Sequence, residues 1–248
     1  MSGAVELEAG GAYASLDLSG VEWAERDLTD LALTDCQLVD GQLSAVILQG
    51  AKFTNCRFVR CRFAHADLRE AVFQNCSFAD PDSHSGVALA FSQLDQARFH
   101  DCDLSFADID RSSLWAVAFD DCNLRGSRFH RADFSRVFGK QARATARFHD
   151  CNLELADLSD ARLAGCELTD CSFREADLTG ADFEQADLNG GDFFQALTAG
   201  AKLAGADLRG AELSGLDLNG LGSFVGMKIT AGQQHILLSA MGVDIHPD

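Results

Sequence analysis

A large apolar residue recurs every five residues through most of this chain. In one unbroken stretch it is Phe173, Leu178, Phe183, Leu188 and Phe193. An amphipathic helix places apolar side chains every three or four residues, and a half-buried strand places them every two. A period of five fits neither element, so the spacing predicts a repeat fold whose short units share one core.

Three frames of this repeat can be followed along the chain. If the large apolar residue is position i, the frames occupy residues 23–78, 89–134 and 148–218. A small residue, most often Ala or Cys, stands two residues before position i. Side chains two residues apart share one face of an extended segment, so both should point inward while the other residues turn a corner. Successive pentads then form the sides of a coiled tube, whose coils pair at about 4.8 Å and leave no lateral edge.

Composition and charge limit the possible functions. The chain has 248 residues and is 47% hydrophobic, which is enough for a continuous core, and it carries a net charge of −18. This charge repels phosphate backbones and anionic lipid surfaces, which argues against direct binding to nucleic acid or membranes. No apolar run reaches the roughly 18 residues of a membrane span, and the first residues lack the features of a secretory signal. We therefore expect a cytoplasmic protein.

Many of the acidic residues belong to the repeat itself. Asp recurs immediately before position i, as at Asp177, Asp182 and Asp187. A short carboxylate beside a tight corner can accept hydrogen bonds from backbone N–H groups. Two interpretations stay open: a solvated acidic face, or a rod whose ordered carboxylates imitate DNA to a protein that grips DNA.

The cysteines follow the same frame. All nine stand two residues before position i: Cys36, Cys56, Cys61, Cys76, Cys102, Cys122, Cys151, Cys166 and Cys171. Their spacings of five or more do not match the two-to-four-residue spacings of zinc ligands, and a free Cys behaves as a small hydrophobe. We favour a packing role over a metal site or disulfides. Unpaired thiols also fit a reducing compartment.

An enzyme is not indicated by any motif. The seven histidines form neither an HxxxH nor an HExxH pair, and the chain contains no P-loop or G-x-S-x-G sequence. We assign no catalytic, cofactor-binding or metal-binding residue and expect no cofactor.

Two interruptions of the repeat predict projecting loops. Leu89 stands eleven positions after Phe78, and Phe148 stands fourteen positions after Phe134, so neither spacing is a multiple of five. Loop one is residues 79–88, and loop two is residues 135–147, which contain four basic residues and no acidic one. Interruptions of a solenoid commonly mark its binding face, although tolerated insertions are the alternative.

The repeats "ADLTG", "ADFEQ", "ADLNG" and "ADLRG" resemble those of the pentapeptide-repeat family over residues 15–220. The resemblance implies an all-β fold, a right-handed quadrilateral β-helix with four pentads per coil. About ten coils would give a rod on the order of 50 Å long. Residues 1–14 would be a flexible N-terminus.

The placement of the two loops, with the stretches "DCDLSFADIDRSS" and "NLELADLSDARLAGCEL", resembles the Qnr quinolone-resistance proteins. That resemblance implies a non-catalytic protein that binds DNA gyrase or topoisomerase IV and protects it from quinolones through both loops. The implied contacts are Asp80, Pro81, Asp82, Ser83, His84, Ser85 and Gly86 in loop one, and Arg136, Val137, Phe138, Lys140, Arg143 and Arg147 in loop two. Phe138 is the expected anchor, because aromatic residues ringed by polar ones carry much interface energy. The alternatives are a scaffold for another partner and an immunity factor against a different topoisomerase inhibitor.

The C-terminal residues 221–248 follow different rules. Thr230 and Gln233 have the spacing of a capping box, and Gly242 marks the end of the helix that follows. We expect this helix to cap the open end of the solenoid. Similar proteins dimerise through this region about a two-fold axis. The resemblance therefore predicts a homodimer whose contacts include Ile236, Leu237, Ala240, Met241, Val243 and Ile245.

Overall fold

The chain winds into a right-handed β-solenoid closed by one short C-terminal helix, as the repeats predict. The structure is a computed structural model and describes residues 6–80, 82–139, 141–214, 216–244 and 246, without the side chains of residues 141 and 142. Its strands are short because each side of a coil is only a few residues long. In the described residues they are β1 (Ala12–Ala14), β2 (Ala32–Thr34), β3 (Gln37–Val39), β4 (Lys52–Thr54), β5 (Arg57–Val59), β6 (Val72–Gln74), β7 (Ala79–Asp80), β8 (Ser85–Gly86), β9 (Arg98–His100), β10 (Val117–Asp120), β11 (Ser135–Phe138), β12 (Gln141–Ala144), β13 (Ala146–His149) and β14 (Glu167–Thr169).

The coils stack in parallel and in register. Face 1 is an eight-stranded sheet in the order β1-β2-β4-β6-β9-β10-β13-β14, and it continues through parallel bridges from Glu167 to Asp187 and onward. We number the other faces 2, 3 and 4 in the order in which the chain reaches them within each coil. Face 2 contains the β3–β5 pair. Within faces 3 and 4, successive coils are joined by single parallel bridges, such as Arg62↔Ala88 in face 3 and Asp67↔Gln93 in face 4.

The interior is filled by the two positions that the sequence assigned to it. Position i is buried from Trp23 to Leu213 and half-buried at Leu218, and the small residues at i−2 are buried with it. Because the coils pair in register, equivalent side chains of successive coils stack on each other. The ring centroids of Phe53 and Phe73 are 4.7 Å apart, and those of Phe73 and Phe99 are also 4.7 Å apart. Stacked aromatic pairs add about 0.5–1.5 kcal/mol each beyond the area they bury.

The cysteines are all free and buried, and in the described residues eight of the nine thiols, all but that of Cys166, donate to main-chain carbonyl oxygens. Cys76 Sγ lies 3.5 Å from the carbonyl oxygen of Phe53 in the preceding coil and 3.4 Å from that of Gln74. Burial raises the pKa of the Cys61 thiol to about 11, so this thiol stays protonated and can donate. Seven of the nine stand in one column, one per consecutive coil, where face 2 begins: Cys36, Cys56, Cys76, Cys102, Cys122, Cys151 and Cys171.

The corners place the residue at i+2 in the left-handed region. Gly180 and Gly190 do so as expected, with φ of 68° and 70°, but most corners use other residues, such as Asp150 at 50°. Asp and Asn tolerate this conformation better than other side chains because they can bond locally to the backbone.

The N-terminal residues correct one expectation. Residues 6–14 are not a flexible segment in the structure: Ala12–Ala14 pairs with β2, and the side chain of Leu7 is buried. Arg26 explains part of this order, because its guanidinium donates to the carbonyl oxygen of Leu7. The solenoid therefore begins before residue 15.

The C-terminal helix covers the open end of the tube. A 3-10 turn at Ala231–Gln233 leads into α1 (Gln234–Ala240), and Gly242 follows at φ 81°. The Gln233 amide nitrogen donates to the carbonyl oxygens of Leu208 and Ala211 at 2.7 and 2.8 Å, while its oxygen accepts from the backbone N–H of Thr230 at 2.6 Å. This one buried side chain thus satisfies acceptors at the last coil.

Candidate partner-binding loops

Loop one is a small hairpin braced from within. β7 and β8 pair antiparallel, and the Asp80 carboxylate accepts from the backbone N–H of Asp82 at 3.1 Å and the Ser83 hydroxyl at 2.9 Å. The same carboxylate lies 3.3 Å from Arg60 on the preceding coil. These donors, led by the Asp82 N–H, hold the pKa of Asp80 below its ordinary value. Asp80 is buried, so its visible role is to shape the turn.

Loop one also lies close against the next coil. A Cβ on Gly86 would stand 2.5 Å from the backbone nitrogen of Ala107, which no side chain could tolerate without movement. The His84 ring lies 5.6 Å from that of Phe106. Residues 82–85 are exposed, while Pro81, also predicted to contact a partner, lies outside the described residues.

Loop two is a longer hairpin made of β11 and β12. The two strands pair from Ser135↔Ala144 to Phe138↔Gln141, and Gly139 takes φ 64° at the tip. Lys140 falls outside the described residues.

Arg147 corrects the predicted extent of loop two. It lies in β13 on face 1, not in the hairpin, and forms an ion pair with Asp120. The buried Ala146 already occupies an inward position, so the excursion from the solenoid ends at Thr145.

The tip of loop two presents apolar surface to solvent. Val137 is 70% exposed and Phe138 is 50% exposed, and Arg143 is exposed beside them. Arg136 lies on the side of the hairpin that faces Trp115, with its guanidinium 4.3 Å from the centroid of the Trp115 ring and 3.4 Å from Asp95. Phe138 shares that side, because side chains alternate along a strand, and Val137 points to the other side. Val137, Phe138 and Arg143 are nevertheless all exposed.

Trp115 is a residue that the sequence reasoning missed. Its ring lies 5.9 Å from that of Phe138 and carries Arg136 on its face, so it supports both ends of strand β11. The available signal was its place at i+1, where the side chain must point outward from face 4. A bulky aromatic residue at an outward position one coil before a loop can serve as the surface on which that loop rests.

A groove of about 380 Å³ separates loop two from the coils that follow it. Ser135 and Ala144 form one wall, and face 4 forms the other. Cations and anions alternate along face 4, where Lys202 pairs with Asp182 at 3.5 Å. The groove therefore presents both signs of charge.

The two loops leave opposite corners of the four-sided tube. Loop one lies between the face 2 residue Phe78 and the face 3 residue Leu89, and loop two lies between the face 4 residue Phe134 and the face 1 residue Phe148. Arg136 of loop two pairs with Asp95, which lies two coils earlier on face 4. Loop two therefore bends back toward the N-terminal coils. The loops thus border faces 3 and 4 from either side.

Charge is distributed unevenly along the solenoid. Residues 151–220 contain fourteen acidic and four basic residues, whereas residues 91–150, which include loop two, contain nine of each. Asp residues at i−1 accept backbone N–H bonds as predicted, for example from Thr179 to Asp177 at 2.9 Å. The acidic part of the rod is therefore the C-terminal part, and the middle is balanced.

One cluster combines histidine with carboxylates on the corner between faces 1 and 2. His100, Asp101 and Asp121 are exposed, and their ligand-type atoms all lie within 4.8 Å of one another. The histidine's Nε2 is 3.3 Å from the Asp101 carboxylate.

The residues at the C-terminus predicted to form a dimer differ in exposure. Leu237 is buried against the solenoid and Ile236 is half-buried, while Ala240, Met241 and Val243 are exposed. Leu238, which was not predicted, adds to this exposed apolar surface, and Ile245 lies outside the described residues.

In the part of the chain that the structure describes, no helix has the length and apolarity needed to cross a membrane.

Four stretches, residues 47–80, 102–138, 151–190 and 192–221, match the family model described as pentapeptide repeats, in eight copies. The chain belongs to the pentapeptide-repeat family.

Within that family, solved structures of QnrB1, described as a plasmid-mediated fluoroquinolone resistance protein, are similar along their whole length. A trypsin-treated form superposes with a TM-score of 0.78 at 30% identity, covering 85% of this chain and 99% of QnrB1. The full-length form gives 0.77 at 30% identity, covering 88% and 100%. No curated protein sequence matches this chain.

Proposed function

We propose that this protein is a non-catalytic factor that binds type II topoisomerases, DNA gyrase or topoisomerase IV, and protects them from quinolones. The observation that carries the proposal is the exposed pair Val137 and Phe138 at the tip of loop two, on a solenoid that superposes on QnrB1 with a TM-score of 0.78. Exposed apolar side chains on a braced hairpin offer contact area with little ordering cost on binding.

The rod and the loops have separate tasks in this proposal. The solenoid supplies a rigid shape and, through residues 151–220, an acidic surface that attracts the DNA-binding regions of the partner. Loop two supplies specific contacts through Val137, Phe138 and Arg143. Loop one positions residues 82–85 on the opposite corner. Such a factor requires no covalent chemistry. We propose that it acts in the cytoplasm, together with its targets.

We also propose that the functional form is a homodimer. Leu238, Met241 and Val243 leave apolar surface at the end of the rod, with exposures of 39%, 48% and 45%. A second copy related by a two-fold axis would cover this surface with its own equivalent residues. Light scattering at micromolar concentration tests this proposal, and a monomer mass there would contradict it.

A supercoiling assay tests the main proposal. Purified DNA gyrase is titrated with a fluoroquinolone in the presence of the wild type or of a variant that lacks residues 138–143, and topoisomerase IV decatenation is measured in parallel. The wild type should raise the drug concentration needed for half inhibition, while the deletion should not. The thermal melt of the deletion should stay close to that of the wild type, because Phe138, Gly139 and Arg143 are exposed. Equal inhibition with and without the wild type, for both enzymes, would contradict the proposal.

A further inference from the structure

A ridge of stacked side chains follows the corner between faces 3 and 4. The His65 ring lies on that of Phe91, with centroids 5.3 Å apart and an interplanar angle of 17°. The Arg111 guanidinium lies over Phe91 at 5.7 Å from the ring centroid. These residues occupy the i+2 position in three consecutive coils, so the stack runs along the solenoid axis. We name His65, Phe91 and Arg111 the aromatic ridge.

The fold itself gives little reason for an aromatic residue at position 91. Phe91 takes φ 62°, a conformation that is unfavourable for a bulky side chain, and it remains 48% exposed. Phe106 shares this conformation, with φ 59°, but it supports His84 of loop one. Phe91 supports no loop among the described residues. The ridge thus exposes apolar area at a strained position, as sites of recognition often do.

The exposed part of the ridge has a definite chemistry. His65 comes from the coil before Phe91 and Arg111 from the coil after it, so the Phe91 ring lies between an imidazole and a guanidinium and remains 48% exposed. The edge of an aromatic ring is electropositive, and the adjacent guanidinium carries a full positive charge. A nucleic-acid base would need a free ring face on which to stack. The ridge therefore suits carboxylates rather than bases.

The ridge lies on the surface bordered by the two loops. Loop one returns to the solenoid at Leu89 on face 3, two residues before Phe91, and Arg136 of loop two pairs with Asp95, four residues after Phe91. Going around the tube, the order is loop one, face 3, the aromatic ridge, face 4 and loop two. A partner that contacts both loops across faces 3 and 4 would meet the ridge between them.

We propose that the aromatic ridge is a third contact with the topoisomerase, and that it receives an acidic side chain beside an apolar one from that enzyme. This inference rests on the proposed function, which supplies the partner. The positive ridge and a partner carboxylate are complementary in charge, while Phe91 supplies the apolar area. Aromatic residues and arginines are the residue types that most often dominate interface energies.

Binding measurements with immobilised DNA gyrase or topoisomerase IV test the ridge. The variants are Phe91→Asn and Arg111→Glu, and Leu155→Asn is the matched control, since Leu155 takes φ 59° and is 42% exposed at a corner between faces 2 and 3. We expect Kd to rise about tenfold for Phe91→Asn and about tenfold for Arg111→Glu, with a weaker salt dependence for the latter. Leu155→Asn should bind within about twofold of the wild type. Thermal melts check the fold, and Asn at position 91 should not lower the melting temperature because it suits the left-handed corner.

The outcomes separate the two proposals. If the wild type binds and both ridge variants bind equally well, the ridge is not a contact and the proposed function stands. If Leu155→Asn weakens binding as much as Phe91→Asn, the effect is not specific to the ridge, and the inference is overturned. If the wild type binds neither enzyme, the proposed function fails and this contact with a topoisomerase fails with it.

Discussion

Loop one and loop two interrupt the same solenoid at opposite corners, but they are stabilised differently. Loop one is held by its own polar groups and by close backbone contact, through Asp80 and Gly86. Loop two rests on an aromatic side chain, Trp115, and keeps its tip in solvent. We expect loop one to be mainly a structural element and loop two to be mainly a recognition element. Four predictions test whether the two loops divide the work in this way.

The largest effect should come from crowding the base of loop one. Gly86→Ala places a methyl group 2.5 Å from backbone atoms of the next coil and should lower the free energy of unfolding by about 3 kcal/mol. Gly139→Ala is the control in loop two, where nothing lies within 4 Å and only φ 64° is unfavourable, at about 1 kcal/mol. Urea denaturation measures both. Equal losses would mean that loop one is no more tightly packed than loop two.

The next effect concerns recognition by loop two. Phe138→Ser removes the exposed ring and should weaken gyrase binding by about 2 kcal/mol, or roughly thirtyfold in Kd. The melting temperature should change little, because the ring is half exposed. Biolayer interferometry and a thermal melt on the same preparation provide the measurement. Undiminished binding would remove Phe138 as the anchor.

A smaller effect should follow from removing the support under loop two. Trp115→Ala takes away the ring beneath Arg136 and beside Phe138, contacts worth about 1 kcal/mol together. Protection of gyrase should then fall severalfold as the hairpin loses its orientation. Phe106→Ala is the matched variant beside loop one. If it reduces protection more than Trp115→Ala does, loop one is the more important recognition element.

The smallest effect should be the pH dependence of loop one. The pKa of Asp80 is depressed in the folded state, so the stability from its ionised form is present above the ordinary carboxyl pKa of 3.8 and is lost as pH falls through the lower folded value. Asp80→Asn should therefore be less stable than the wild type at pH 7, and the difference should shrink below about pH 4. Denaturation at several pH values measures it. A constant difference would mean that the charge of Asp80 does not matter.

The sequence predicted the solenoid well because the repeat is local. The residue types within each pentad indicate which side chains point inward, and position i and the small residue at i−2 are buried as predicted. The capping box at Thr230 and Gln233 is equally local, and it is present. In both cases, residues a few positions apart contain the whole signal.

Contacts between coils were harder to predict because they join residues about twenty positions apart, and each insertion changes that number. Arg136 meets Asp95 and Trp115 only because loop two bends backward, and no pattern within the loop encodes its direction. Arg147 looked like part of the basic loop, yet pairing with β10 returns it to face 1. Asp80 looked like a partner contact, but three donors around it turn it into a brace.

A parallel solenoid has no natural stopping point, since each coil offers the next one the same unsatisfied acceptors. Both amide hydrogens of Gln233 are already committed to Leu208 and Ala211, so another molecule that approached end-on would find those two oxygens occupied. A single side chain thereby helps to set the length of the rod and to keep it from growing into a fibre.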